Sequence, residues 1–216
     1  MKRIIFDFDG TLIDSRKRLF KLFSYLEPDL KLSFDEYSNL KRNGESHEKI
    51  LRKLKGELYF KQSDFEGKWM KLIEDNYYLN LDTPFEGVTQ LLERLKADGY
   101  DLWLVTARQY SSKVQDQIMN FGWHNMFSKT LVTGQIMTKK DLLLYGSTNF
   151  EHSIMIGDTG KDITTAQEVG AYSIAVLSGF LCFEKLKIYN PNECLNNVTE
   201  LYHSKFFKSN YGNPLS

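Results

Sequence analysis

Two short stretches carry most of the chemistry available to this chain. In RIIFDFDGTLIDS, Arg3 to Ser15, Asp7 and Asp9 are separated by one residue and follow a short apolar run. In MIGDTGKDI, Met155 to Ile163, another apolar run leads into Gly157-Asp158, with Asp162 four residues on. If the extended backbone of Arg3-Ile4-Ile5-Phe6 persists through Phe8, the side chains of Asp7 and Asp9 point to the same side. Two carboxylates in one small volume repel, and they need a cation, a shared proton or free access to water. Hard divalent cations prefer carboxylate oxygens and water, so the four aspartates together read as an acidic metal site. Gly157-x-x-Gly160-Lys161 lacks the spacing of a phosphate-binding P-loop, and Asp162 stands where Ser or Thr should be.

Those residues have to be positioned by a scaffold. Further runs at Asp101–Thr106, Lys129–Val132, Ser153–Ile156 and Ser173–Leu177 read as buried strands. Helical spacing falls between them: residues 84–98 ending at Gly99, 111–121 ending at Gly122, and 162–169 ending at Gly170. Strands alternating with helices predict an α/β fold, a Rossmann-like, doubly wound parallel sheet covered on both faces. Ligands of such sheets bind beyond the C-terminal strand ends, where Asp7, Asp9, Thr106 and Asp158 fall.

The alternation stops for about 70 residues after the first strand. That segment is rich in helix formers, with helices expected near residues 16–26, 33–42, 46–54 and 64–79, and it reads as an inserted helical subdomain. The expected organisation is a core of residues 1–13 and 84–203, a helical insert of residues 14–83, and a C-terminal tail of residues 204–216.

Lys+Arg and Asp+Glu both total 28, so no global basic field attracts nucleic acid or membrane, and an anionic ligand must be caught by local charge. No apolar run approaches a membrane span, and charges interrupt any secretory leader. Cys182 and Cys194 are the only cysteines and have no metal-ligand spacing, so a cytoplasmic, disulfide-free protein is expected. Nothing in the sequence separates a monomer from a homodimer.

Asp7-Phe8-Asp9-Gly10-Thr11, Thr106, and Gly157-Asp158 with Asp162 resemble the signature motifs of the haloacid dehalogenase superfamily. The closest likeness is to its phosphatase branch, in which a helical cap follows the first strand, as in phosphoglycolate phosphatases and β-phosphoglucomutases. Strict dehalogenases lack the second aspartate, so Asp9 favours phosphoryl transfer. The resemblance implies that Asp7 attacks phosphorus and that Asp9 serves as acid and then base. It implies Mg2+ held by Asp7, Asp158 and the Asp9 backbone carbonyl, with Asp162 inside or just outside the metal shell. Thr106 would donate to a phosphoryl oxygen. The residues alone leave Lys139 and Lys140 both open as the phosphoryl cation; the family spacing of lysine, one residue, then an acid favours Lys139, followed by Asp141.

Arg108 could touch substrate or cap a strand end, and stays open. In the insert, KRNGESHEK places Arg42, Glu45 and His47 around a Gly44 turn, from which Arg42 is expected to reach the leaving group. The expected function is a magnesium-dependent hydrolase of small phosphorylated metabolites. Rivals on the same scaffold are a sugar-phosphate mutase or phosphotransferase and a phosphonate hydrolase using a lysine of the insert; a rival of another class is a regulatory module phosphorylated on Asp7.

Overall fold

The computed structural model describes residues 2–211; Met1 and residues 212–216, the end of the expected tail, lie outside the described residues. Arg3–Phe6 forms β1, paired in parallel with β4 (Asp101–Thr106) on one side and β6 (Ser153–Gly157) on the other. With β5 (Lys129–Val132), β7 (Tyr172–Val176) and β8 (Glu193–Leu195), they make a six-stranded parallel sheet in the order β5-β4-β1-β6-β7-β8. Strand β8 was not expected. It is three residues long with one buried side chain, too short to carry a periodic signal.

Alternation along each strand gives the sheet two buried faces. Ile4 and Phe6 pack with Leu102, Leu104, Ile154 and Ile156 beneath α7 (Val88–Ala97) and α8 (Ser111–Asn120). On the opposite face Ile5 joins Trp103, Val105 and Met155, covered by Leu143 of α9 (Lys139–Gly146) and Ala166 of α10 (Gly160–Val169). Helix α7 begins later than its expected start at Pro84, because Pro84 is spent in a strand and Gly87, at φ +80°, caps the helix in the left-handed region.

Residues 16–79 are helical throughout their defined elements. They comprise α1 (Arg16–Leu26), α2 (Phe34–Arg42), α3 (His47–Lys55), α4 (Glu57–Gln62), α5 (Phe65–Leu72) and α6 (Asn76–Leu79). Ser33 and Ser46 cap α2 and α3 through their hydroxyls. The single helix expected over 64–79 is two, because the Asp75 side chain accepts the Tyr77 N–H and starts a new one. These helices enclose their own core of Phe23, Tyr37, Ile50, Leu51 and Phe65. The chain leaves the sheet and returns through a two-stranded antiparallel ribbon, β2 (Ile13–Asp14) against β3 (Thr83–Pro84). After β8, Phe207 of the last helix (Lys205–Tyr211) is buried in the main core, so the described part of the tail docks on the sheet-bearing body.

Candidate active site

Strand β1 ends at Phe6, and the Asp7 N–H is still held by the Ile156 carbonyl at 2.9 Å, so the nucleophile candidate leaves the sheet from a fixed point. Asp7, Asp158 and Asp162 are all buried, and each offers a carboxylate oxygen within 4.8 Å of the others. Lys139, the first residue of α9, places its Nζ 2.5 Å from Asp7 Oδ1 and 2.6 Å from Asp162 Oδ1. Thr138 caps that helix in a reciprocal pair with Asp141, which fixes the register. Lys140 points elsewhere: it is more than a third exposed, and its Nζ lies 3.7 Å from Glu168.

Asp162 is the third residue of α10, not its cap. Its Oδ2 accepts from the Thr159 N–H and hydroxyl, leaving Oδ1 for Lys139. Asp158 is clamped between two glycines, since a Cβ at Gly10 or at Gly179 would collide with its carboxylate. Its Oδ2 accepts the Phe180 N–H at 2.7 Å, while its buried Oδ1 has no protein partner. Gly10 also turns at φ +79°, a conformation costly for any residue with a side chain. The Thr11 hydroxyl is buried without a partner.

Three buried carboxylates against one ammonium make an under-neutralised site. Burial, with Asp162 adding to it, raises Asp7 to about 7 despite Lys139, and burial with Asp7 raises Asp158 well above its ordinary value. Burial lowers Lys139, but Asp162 and Asp7 outweigh it and hold the ammonium firmly protonated. The unpartnered Asp158 oxygen and the excess of negative charge fit a hard divalent cation held by oxygen ligands.

Asp9 has a different environment. Arg108 Nε donates to its Oδ2 at 2.5 Å and Nη2 to its Oδ1 at 2.8 Å, and Arg18 of α1 pairs with the same Oδ1. Both arginines also pair with the fully buried Asp82, each at 3.1 Å. Burial pushes Asp9 upward, yet Arg108 and Arg18 win and hold it well below the usual carboxylate range. Nearby, the buried Glu74 accepts the N–H groups of Gln109 and Tyr110, and Gln109 donates to the Met70 carbonyl, so the helical segment is fastened to the loop after β4. Sequence reading missed Arg18, Asp82 and Glu74 and left Arg108 open. One signal was present: Arg18 lies one turn before Leu22 on the buried stripe of α1, where an arginine needs partners.

A cavity of about 790 Å3 opens over these groups, and Asp7, Asp9, Thr106, Arg108 and Lys139 line it. Thr106 is buried at the end of β4. Arg42 is not brought to this cavity. Its Nη1 is spent on the Leu177 carbonyl at 3.3 Å and its own carbonyl accepts the Cys182 N–H, so it ties α2 to the segment after β7. His47 packs inside the helical segment, its Nε2 at 2.7 Å from the Tyr37 hydroxyl.

Comparison with known proteins gives a consistent picture. The family described as haloacid dehalogenase-like hydrolase matches residues 4–176. A phosphoglycolate phosphatase from Psychrobacter arcticus is 27% identical over 92% of this chain and 93% of its own. Among solved structures, a haloacid dehalogenase-like family hydrolase from Streptococcus pneumoniae superposes with a TM-score of 0.72 at 23% identity, covering 94% of this chain and 97% of that one. A β-phosphoglucomutase from Clostridium difficile reaches 0.67 at 19% identity, covering 97% and 98%. At these identities the two structures establish the fold alone.

Proposed function

The chain belongs to the haloacid dehalogenase-like hydrolase family, and on that premise we propose that it is a magnesium-dependent phosphomonoesterase of small phosphorylated metabolites. The observation that carries the proposal is the buried Asp7–Asp158–Asp162 cluster with Lys139 between two of its members, at the C-terminal edge of a parallel sheet. The name of the Psychrobacter relative supports a phosphorylated substrate. Residues 1–13 and 84–203 would be the catalytic body, residues 14–83 the cap over it, and residues 204–216 a tail. Both cysteines are free, which suits a cytoplasmic setting.

In this reading an Asp7 carboxylate oxygen attacks phosphorus, and the bond from phosphorus to the leaving oxygen breaks with its electron pair going to that oxygen. Asp9 supplies the proton that neutralises it. Water then attacks the aspartyl-phosphate, the acyl phosphate bond breaks to return Asp7 as a carboxylate, and Asp9 takes the proton that water loses. Mg2+, held by Asp7, Asp158 and the Asp9 carbonyl with Asp162 beside them, would supply charge neutralisation for an anion approaching an anion. Thr106 would donate to a phosphoryl oxygen, and Lys139 orients Asp7 before reaction and faces the transferring group during it. Because Asp9 rests as the ionised partner of two arginines, its acid role requires it to gain a proton and loosen from Arg108 and Arg18 when substrate binds.

A phosphonate hydrolase would need a lysine of the helical segment at the site. Among the described residues the cavity's lysines are Lys139 and Lys161, both outside residues 14–83. The test is release of inorganic phosphate from simple monoesters without any acceptor sugar, with and without Mg2+, by the wild-type chain and by Asp7→Asn. Metal-dependent release lost in Asp7→Asn supports the proposal. Release that needs a sugar acceptor would make the chain a transferase, and full activity in Asp7→Asn would remove Asp7 from the chemistry.

A further inference from the structure

The cavity is far larger than a phosphate and two carbons require, and part of its wall is apolar. Leu19 of α1 with Trp69, Met70 and Ile73 from and just after α5 form one side, and Ile136 and Met137 from the loop after β5 form the other. Ile136 is 91% exposed and Met137 41%, an aliphatic surface left in water at the mouth of a site. Such surface is unfavourable unless an apolar group covers it during the working cycle. Productive pockets typically combine an apolar wall with a few convergent polar groups, which is the division seen here.

Charge argues the same way. Arg18 and Arg108 are matched one for one by Asp9 and Asp82, and Glu74 adds a further negative group beside them. Lys139 is held by Asp7 and Asp162. A leaving group carrying a second negative charge therefore finds the buried cations already taken, the exposed Lys161 being the remaining cation on the lining, whereas an apolar ring finds the Trp69 side chain and aliphatic neighbours. We infer that the substrate is a phosphate monoester of an alcohol that bears an aromatic ring and no carboxylate, the ring lying between Trp69 and Ile136–Met137. This inference rests on the phosphatase reading above and narrows it, and it sets this chain apart from relatives named for phosphoglycolate.

The test compares 3-phenylpropyl phosphate, propyl phosphate and phosphoglycolate under identical Mg2+. The first two leave as primary alkanols of nearly equal acidity, so their ratio reads recognition and not leaving-group quality. The expected kcat/KM order is phenylpropyl, then propyl, then phosphoglycolate, with about tenfold or more between the first two, the usual value of burying a ring. Ile136→Asn and Trp69→Ala should each shrink that ratio; Trp69 also packs on His47 at 4.1 Å, so the exposed Ile136 keeps the test independent of folding. A wild-type ratio near one, a preference for phosphoglycolate, or a ratio unchanged in both variants overturns the inference while leaving the phosphatase intact. Phosphate release from none of the three, nor from an activated aryl phosphate, overturns both.

Discussion

Arg108 grips Asp9 with two nitrogens, Nε at 2.5 Å and Nη2 at 2.8 Å, and thereby joins the loop after β4 to the turn after β1. The same guanidinium reaches Asp82, just before the chain re-enters the sheet body, and Arg18 closes the ring from α1. Four charges, all buried except the part-exposed Asp9, balance two against two. Removing Arg108 leaves two carboxylates, Asp9 and Asp82, sharing Arg18 alone, so Arg108→Met should cost roughly 3–5 kcal/mol of unfolding free energy. Neutralising Asp82 in that background restores the balance, and the double variant Arg108→Met/Asp82→Asn should be more stable than additivity allows by roughly 1–3 kcal/mol. Denaturant unfolding of the four proteins measures this, and simple additivity would refute a coupled ring.

The two neighbouring lysines should behave differently. Lys139→Ala removes the only ammonium among three buried carboxylates, and kcat/KM should fall by about 10²–10³. Lys140→Ala removes an exposed group beside Glu168 and should change kcat/KM less than about twofold. A crippled Lys140 variant beside a normal Lys139 variant would contradict the register of α9.

Gly179 has no catalytic group, yet a Cβ there would meet the Asp158 carboxylate. Gly179→Ala should therefore keep the fold and weaken divalent-metal binding by about tenfold to a hundredfold, through misplacing one carboxylate. The readout is the rise in Tm with MgCl2 concentration in the absence of substrate. A wild-type titration curve in the variant would show that Asp158 is free to move.

His47 is surrounded by Phe23, Tyr37, Phe65 and Trp69, and burial, with Lys41 nearby, holds its imidazole well below the ordinary 6.5. Below pH 6.5 the unfolded chain binds a proton there that the folded chain refuses, so stability falls as pH drops. The ideal slope is about 1.4 kcal/mol per pH unit, and partial exposure of the ring reduces it. Melting curves between pH 7.5 and 5 should show this loss in the wild type and a smaller loss in His47→Gln. An equal pH dependence in both proteins would exclude His47 as its source.

The sheet and the acidic cluster were legible because buried parallel strands write themselves as β-branched runs and their C-terminal ends carry Gly and Asp at fixed spacings. Helix α4 was missed since all its residues are at least partly exposed, leaving no apolar stripe. The ring around Asp9 was illegible for another reason. Arg18, Asp82 and Arg108 are far apart in the chain and are ordinary surface types when read singly; only the fold, which brings both arginines onto Asp9 and Asp82, turns them into one buried group. Arg42 was misplaced because a turn rich in charge looks the same whether it faces a substrate or a neighbouring loop.

The ribbon of Ile13–Asp14 against Thr83–Pro84 brings the two ends of a long excursion side by side. Closing a flexible loop grows dearer only logarithmically with its length, by about 0.6 kcal/mol for each doubling. The sheet body therefore tolerates excursions of very different sizes at nearly the same folding cost. What crosses the ribbon can be lengthened, shortened or exchanged during divergence without disturbing Asp7, Asp158 or Asp162. The arginine of α1 is the excursion's cation on Asp9, so a graft of a foreign segment would have to bring its own counterpart to Arg18 or leave Asp9 with a single cation.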